Sequence, residues 1–169
     1  MLELVRQGNA SPNAVEVAAR ARVGLRSVFR HFKEMESLYV EIMGVVEREL
    51  MAVVAQPFKG TTWRERVLEL VERRGPVFET IAPLRRAADA RLTESKVLRA
   101  NYNTLALRSR EILRRIVPLE ATDAATFEAL DLLLSFEAWS RLRNDQDLSP
   151  TRARQVLSRA VTALVGEDA

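Results

Sequence analysis

Between residues 95 and 117, side chains typical of a buried face recur alternately three and four positions apart. This spacing lines one face of an α-helix. The stripe consists of Leu98, Tyr102, Leu105, Ser109, Ile112 and Ile116. Ala, Leu, Arg and Glu, which favour helices, dominate the 169-residue chain, and runs of β-branched residues are scarce. We therefore predict an all-α fold.

Helix start and stop signals divide the remaining sequence into further helices. Asn13 with Glu16, and Thr62 with Glu65, have the spacing of a capping box, which marks the start of a helix. Prolines and glycines mark most of the ends. The predicted helices span residues 1–7, 13–20, 25–31, 36–55, 62–74, 95–117, 122–143 and 151–165.

Breaks and domain boundaries are few. Gly75-Pro76 is expected to kink or break the helix that begins at residue 62, and Pro83 is a second candidate break. No internal repeat or low-complexity linker separates domains. We place the domain boundary inside helix 36–55. An N-terminal three-helix domain then covers residues 1–43, and a larger helical domain covers residues 44–169.

Residue counts exclude several classes of function. The chain has no Cys and a single His, His31, so disulfides and thiolate chemistry are excluded. No convincing catalytic triad or metal-binding cluster remains. We predict that the protein is not an enzyme and uses no cofactor or metal. No apolar run is long enough to span a bilayer, and no signal peptide opens the chain. We therefore expect a cytoplasmic protein with no membrane partner.

Residues 13–31 have the spacing of a helix-turn-helix unit, in which a tight turn joins two short helices. Small or apolar residues fall where the two helices must contact each other, and these are Val17, Ala18, Ala21, Val23 and Val28. The outer side of the second helix then carries Leu25, Arg26, Ser27, Phe29 and Arg30. In such units the second helix enters the major groove of DNA with its N-terminal residues at the base edges.

The same segment carries positive charge without interruption by an acid. Its cations between positions 20 and 33 are Arg20, Arg22, Arg26, Arg30 and Lys33. A cationic surface of this kind neutralises phosphates and releases counterions from DNA. The alternative is an ordinary solvated face on a helical hairpin. Together with the spacing of the packing residues, the charge favours binding to double-stranded operator DNA.

The stretch "VEVAARARVGLRSVFRHFKEMESLY" resembles the N-terminal signature of the TetR family of transcriptional repressors. The resemblance covers about residues 10–43 and rests on Val17-Ala18, the turn from Ala21 to Gly24, and the run from Val28 to Phe32. It implies a homodimeric repressor that a small-molecule effector releases from its operator. The residues expected to contact DNA are Asn13, Leu25, Arg26, Ser27, Phe29, Arg30, His31 and Lys33.

The segment departs from the family pattern at four positions. Arg22 stands where Gly is usual, Gly24 where Ser is usual, Phe29 where Tyr is usual, and Met35 where Lys is usual. An Arg at a turn position with positive φ costs about 1 kcal/mol. Arg22, Met35 and the short first helix motivate a second hypothesis, a dimeric small-molecule-binding protein with weak or lost DNA affinity.

An effector pocket is expected among the helices between 62 and 117. Asn101 and Tyr102 interrupt the apolar stripe of helix 95–117, next to Leu105, and Trp63 and Phe78 are candidates for the pocket walls. Such a lining suits a hydrophobic or amphipathic effector. The alternative is that Asn101 and Tyr102 pair with neighbouring helices. We expect Arg85, Arg86 and Arg91 to face solvent.

Helix 122–143 is apolar on two faces. One face comprises Phe127, Leu130, Leu134 and Ala138, and the other comprises Leu132, Leu133, Phe136 and Trp139. One face can pack on the core of its own subunit, so the second needs another partner. We predict a homodimer through helices 122–143 and 151–165, as the resemblance also implies. The alternative is a monomer in which this helix is fully internal.

Overall fold

A computed structural model describes residues 1–9, 12–31, 35–89, 92–93, 95–118 and 120–166. Within these ranges the chain forms helices and no strand, so the predicted all-α class is confirmed. The elements are α1 (Leu2–Arg6), α2 (Ala14–Ala21), α3 (Leu25–His31), α4 (Met35–Ala55), α5 (Trp63–Asp89), α6 (Lys96–Ile116), α7 (Ala124–Leu133), α8 (Phe136–Ser140), a π-helical turn (Arg141–Asp145) and α9 (Pro150–Val165). No helix in the described part has the length and apolar character of a membrane span.

Helix α5 continues through both of its predicted break points. An internal Pro costs a helix about 3 kcal/mol. Burial of one large apolar side chain returns about 1.5–3 kcal/mol, and α5 buries many of these along its length. They include Val67, Leu70, Val71, Phe78, Ile81 and Leu84. This packing therefore outweighs the helix-breaking tendency of Gly and Pro. The prediction of a break at Gly75-Pro76 or at Pro83 is wrong.

The prediction of one continuous helix over residues 122–143 is also wrong. The structure divides this segment into α7, α8 and the π-helical turn. The hydroxyl of Ser135 accepts a hydrogen bond from the Ala138 amide at 3.1 Å and starts a new helix there. The carbonyl of Leu134 accepts a hydrogen bond from Arg74 Nη1 at 2.7 Å. A side-chain cap and a buried cation thus satisfy backbone groups that the break exposes.

The break changes which apolar residues face outward. Phe136 and Trp139 are buried and pack against Phe78, with ring centroids 5.6 and 6.2 Å away. Leu132 is 65% exposed. The predicted second face is therefore wrong as a set, since of Leu132, Leu133, Phe136 and Trp139 only Leu132 is an exposed residue.

Two compact units make up the chain. The first combines Met1–Glu49 with Ile81–Ala106, and the second combines Leu50–Thr80 with Leu107–Ala169. The division falls inside α4, α5 and α6, so each of these helices contributes to both units. The predicted boundary between residues 43 and 44 also lies within α4.

In the first unit, a small core joins the first three helices. Val17 and Ala18 of α2 and Val28 of α3 are buried together, with Met1 and Leu4 packed against them. Other buried residues of this unit lie on the first part of α4, the end of α5 and the first part of α6. They include Ile42, Met43, Val46, Leu84, Ala87, Leu98 and Leu105.

In the second unit, α7 packs against α9, and the core includes residues from the remaining parts of α5 and α6. The most buried members are Val67, Leu70, Leu113, Leu130, Ala153 and Val161. Arg73 of α5 donates hydrogen bonds to the carbonyls of Val53 and Gln56, at 3.1 and 2.7 Å. A cation beside the last carbonyls of a helix is favourable, so Arg73 fixes the C-terminal end of α4.

Candidate functional site

Helix α2 begins with the predicted capping box. Asn13 Oδ1 accepts hydrogen bonds from the amides of Val15 and Glu16, both at 3.0 Å. Glu16 Oε2 in turn accepts from the Asn13 amide at 2.8 Å. The Asn13 side chain is exposed. Its oxygen already serves the cap, so a contact from Asn13 to DNA would use the side-chain nitrogen.

The turn between α2 and α3 has left-handed backbone at Arg22, with φ 54° and ψ 40°. This is the conformation that makes Arg unfavourable at this position, by about 1 kcal/mol relative to Gly. The turn also directs the following residue outward, and Val23 is exposed. Ala21 is exposed as well. The prediction that Ala21 and Val23 pack between the helices is therefore wrong, whereas Val17, Ala18 and Val28 are buried as predicted.

Helix α3 presents a mixed basic and apolar face to the solvent. Leu25 is 42% exposed and Phe29 is 48% exposed. Arg26 and Arg30 are exposed, and Ser27 is half-buried. Arginine suits bidentate contacts to guanine or phosphate, and apolar groups suit the methyl group of thymine. The face therefore has the chemistry that the edges and backbone of a DNA groove require.

The cations of this region differ in what surrounds them. Arg20 Nε lies 2.9 Å from Glu3 Oε2, so this Arg links α2 to α1. Within the described ranges, Arg22, Arg26 and Arg30 make no ion pair. Lys33 lies outside the described residues, and the side chain of His31 is not among those described. Of the five predicted cations, one is therefore held by an ion pair, and three are exposed on α3 and its turn.

A cavity of about 240 Å³ lies between α4 and α6 in the first unit. Its lining comprises Val40, Met43, Gly44 and Glu47 of α4, together with Asn101, Thr104 and Leu105 of α6. Asn101 is half-buried and Leu105 is buried. The cavity thus brings together two of the predicted ligand residues. Sequence analysis missed the four residues of α4, although their spacing of three, four and seven places them on one helical face.

Tyr102 lies outside this lining and has a different neighbour. The guanidinium of Arg85 stacks over the Tyr102 ring, 4.3 Å from its centroid. Arg85 is only 4% exposed, and its Nε lies 3.9 Å from Asp89 Oδ1. The prediction that Arg85 faces solvent is wrong, because an aromatic face and a nearby carboxylate provide a favourable buried environment. Arg86 is exposed as predicted, and Arg91 lies outside the described residues.

Trp63 and Phe78 belong to the second unit. Phe78 is buried in an aromatic cluster with Phe136 and Trp139. Trp63 is half-buried, and the Arg64 guanidinium lies 4.8 Å from its ring centroid. The neighbours of Phe78 are therefore core side chains of this unit. A role for either residue in ligand binding stays a prediction.

Two further features of the second unit could not be predicted from the spacing of apolar residues. They are the buried Arg74 and the carboxylate of Glu79, which accepts hydrogen bonds from two side chains. Burial lowers the pKa of Arg74 to about 10. Glu79 accepts hydrogen bonds from Trp139 Nε1 at 2.7 Å and from Arg143 Nε at 2.8 Å. The hydrogen bond with Glu79 raises the pKa of Arg143 above its usual value. These groups stabilise the second unit, and their partners are about 60 residues away in sequence.

Among the described residues, no three His, Cys, Asp or Glu side chains come close enough to hold a metal ion. No protein-family model matches the sequence, and neither a curated protein nor a solved structure is significantly similar to it.

Proposed function

We propose that the protein is a transcriptional regulator of the TetR type, a homodimer that binds operator DNA through α3 and releases it when a small effector binds. The observation that carries this proposal is the arrangement of α2 and α3. Val28 is buried against Val17 and Ala18, while Arg26 and Arg30 on the same helix are exposed. A recognition helix needs two such faces, because one packs on its partner helix and the other contacts the DNA groove.

In this account, α3 enters the major groove with its N-terminal end nearest the bases. Arg26 in the first turn of α3 reads a guanine edge, and Arg22 and Arg30 contact phosphates. Leu25 and Phe29 lie against thymine methyl groups or sugars. Binding takes place in the cytoplasm, where the operator is accessible.

A dimer places two copies of α3 on two half-sites about 34 Å apart, one turn of DNA, or at a multiple of this distance. Exposed apolar residues on α7 and α9 support the proposed interface. These are Leu132 at 65% exposure, Val156 and Leu164. The proposed interface therefore differs from the predicted one, which included Phe136 and Trp139. Both of these residues are buried within the second unit.

The test is selection of binding sites from random double-stranded DNA, followed by affinity measurements on the selected sequence. We expect an inverted repeat, in keeping with the two-fold symmetry of a dimer. R26A should weaken binding by about 1–3 kcal/mol and relax the preference at one base pair of each half-site. R115A, which removes an exposed arginine of α6 in the second unit, is the matched control and should bind normally. No enrichment of any sequence, with equal affinity for all DNA, would exclude the proposed direct readout.

The second candidate is a dimeric small-molecule-binding protein with weak or lost DNA affinity. The left-handed conformation at Arg22 favours it, because an unfavourable turn residue weakens the helix-turn-helix unit. This candidate predicts weak, unselective DNA binding that R26A does not change.

A further inference from the structure

The charged groups beside the α4–α6 cavity do not favour an ionic occupant. Glu47 lines the cavity but already has an interaction partner. The Arg48 guanidinium borders the same wall, because its Nη1 lies 3.5 Å from the position that a Cβ on Gly44 would take. An ion that entered the cavity would lose its hydration and meet both signs of charge at this wall. No net attraction would offset the lost hydration, so an uncharged occupant is favoured.

Asn101 is the polar residue of the lining that can bond to a ligand. It is half-buried, and within the described ranges its side chain makes no hydrogen bond. Thr104 is the other uncharged polar residue among those described in the lining, and its hydroxyl donates to the Ala100 carbonyl at 3.0 Å. A side-chain amide both donates and accepts hydrogen bonds, and a half-buried amide gains when a ligand supplies its partner. A hydroxyl group matches Asn101, because it also donates and accepts.

The size of the cavity and its apolar wall restrict the occupant further. A cavity of about 150 Å³ lined by apolar groups holds benzene. In proportion, the α4–α6 cavity of about 240 Å³ accommodates one ring with a short substituent. Met43, buried at one wall, has a polarizable sulfur that contacts aromatic rings favourably, and Leu105 adds apolar area. A single aromatic ring with a two-carbon chain fits both the volume and this part of the lining.

We infer that the α4–α6 cavity binds a small uncharged aromatic alcohol, with the hydroxyl group at Asn101 and the ring against Met43 and Leu105. This inference rests on the proposed function in one respect, since it identifies the alcohol as the effector. α4 follows α3 in the chain and carries four of the cavity residues. An alcohol bound there therefore contacts the helix that leads to the proposed DNA-binding unit.

The probes share one ring and a two-carbon chain and differ in the end group, namely 2-phenylethanol, ethylbenzene, 2-phenylethylamine and phenylacetate. Binding to the full chain is measured by isothermal titration calorimetry and by ligand-observed NMR. The alcohol should bind about two- to tenfold more tightly than ethylbenzene, the factor that one hydrogen bond of typical net strength supplies. The amine and the acid should each bind at least about tenfold more weakly than the alcohol, because an ion loses its hydration. Equal or tighter binding of either ion, or no advantage of the alcohol over ethylbenzene, would overturn the inference.

Methyl NMR of methionine locates the ligand in the unaltered protein. The methionines of the chain are Met1, Met35, Met43 and Met51. The ring current of 2-phenylethanol should shift the ε-methyl resonance of Met43, which is assigned from its absence in M43L, and the shift should saturate together with the calorimetric titration. Met51 lies on the same helix but outside the lining, so its resonance is the control and should not move. An unchanged Met43 resonance at saturation would place the ligand elsewhere and overturn the assignment.

Substitution of Asn101 tests the polar contact. N101L keeps the approximate size of the side chain but removes both of its hydrogen-bonding groups. The alcohol should then lose its advantage over ethylbenzene, while ethylbenzene still binds. N103L is the matched control, because it makes the same replacement at an exposed Asn of α6 outside the lining and should keep the advantage. An advantage of the alcohol that persists in N101L would overturn the contact with Asn101.

DNA titrations separate this inference from the proposed function. Operator binding that 2-phenylethanol weakens, at a higher concentration in N101L than in the wild type, supports both. Operator binding without alcohol binding overturns the cavity assignment and leaves the DNA-binding function in place. Alcohol binding with the Met43 shift, but without any operator binding, supports the site and overturns the proposed regulatory function. Operator binding that the bound alcohol leaves unchanged overturns the effector role alone.

Discussion

The arginines of α3 and those of the second unit have opposite surroundings. Arg26 and Arg30 are exposed, and within the described ranges neither makes an ion pair. In the second unit, Arg73 and Arg74 donate to backbone carbonyls, and Arg143 bonds to the carboxylate of Glu79. The second group stabilises the fold. Within the described ranges the exposed cations of α3 make no comparable bond, and the proposed DNA-binding surface rests on this contrast.

Replacement of Arg74 tests the structural role of the arginines in the second unit. It should have the largest effect on stability of the replacements considered. R74A removes a buried side chain and the donor to the Leu134 carbonyl. Loss of a buried, bonded cation should lower the free energy of unfolding by about 3 kcal/mol. Denaturant unfolding followed by circular dichroism provides the measurement.

Two further variants sharpen that result. R86A removes an exposed arginine of the same helix and should change stability by less than about 0.5 kcal/mol. R74M retains much of the apolar volume and should be less destabilising than R74A. Equal stability of R74A and R86A would show that Arg74 has no structural role.

A smaller effect is expected at Arg22, where the side chain is exposed but the backbone is left-handed. R22G should raise the free energy of unfolding by about 1 kcal/mol, because Gly adopts positive φ without steric cost. R22A is the control, since Ala keeps the steric cost but lacks the charge. Both variants should bind DNA with a reduced salt dependence if Arg22 contacts a phosphate. A gain in stability for R22A equal to that for R22G would assign the effect to charge and not to the backbone.

The smallest effect is expected for the exposed pair of Arg20 and Glu3, with side chains 43% and 67% exposed. Exposed ion pairs stabilise proteins by about 0.2–1 kcal/mol. A double-mutant cycle with R20A, E3A and the combined variant measures this coupling, which should decrease at high salt. A coupling above about 2 kcal/mol would contradict the view that surface pairs here are weak.

Local signals correctly predicted the start of α2 and several buried residues of α2 and α3. The capping box of Asn13 and Glu16, and the burial of Val17, Ala18 and Val28, follow from residues close together in sequence. The all-α class follows from composition and periodicity in the same way. Local rules were sufficient for these features, but they failed at Ala21 and Val23, which are exposed.

The remaining errors occurred where distant residues decide the outcome. Pro83 and Gly75-Pro76 do not end α5, because apolar burial along the helix outweighs the local cost. Gly75 also lies against Trp139, since a Cβ there would be 3.0 Å from Trp139 Cη2. The helix break before Phe136 involves Arg74, 60 residues away from the carbonyl it bonds. No pattern within one helix contains this information.

Part of the candidate site was also predictable. Asn101 and Leu105 were identified because a polar group interrupts an apolar stripe, and both line the α4–α6 cavity. Glu47 and Gly44 were missed, although they share one face of α4, because a cavity depends on the gap between two helices. The burial of Arg85 was missed for the same reason, since its neighbour Tyr102 lies on another helix.

The salt dependence of DNA binding tests the central claim most directly. The logarithm of the binding constant should fall linearly with the logarithm of salt concentration, and the slope counts the phosphates neutralised. We predict that replacement of Arg22, Arg26 and Arg30 by Ala reduces the slope by about one unit for each phosphate that the variant no longer neutralises. R115A should leave the slope unchanged. An equal slope for the wild type, the triple variant and R115A would show that α3 and its turn do not form the DNA-binding surface.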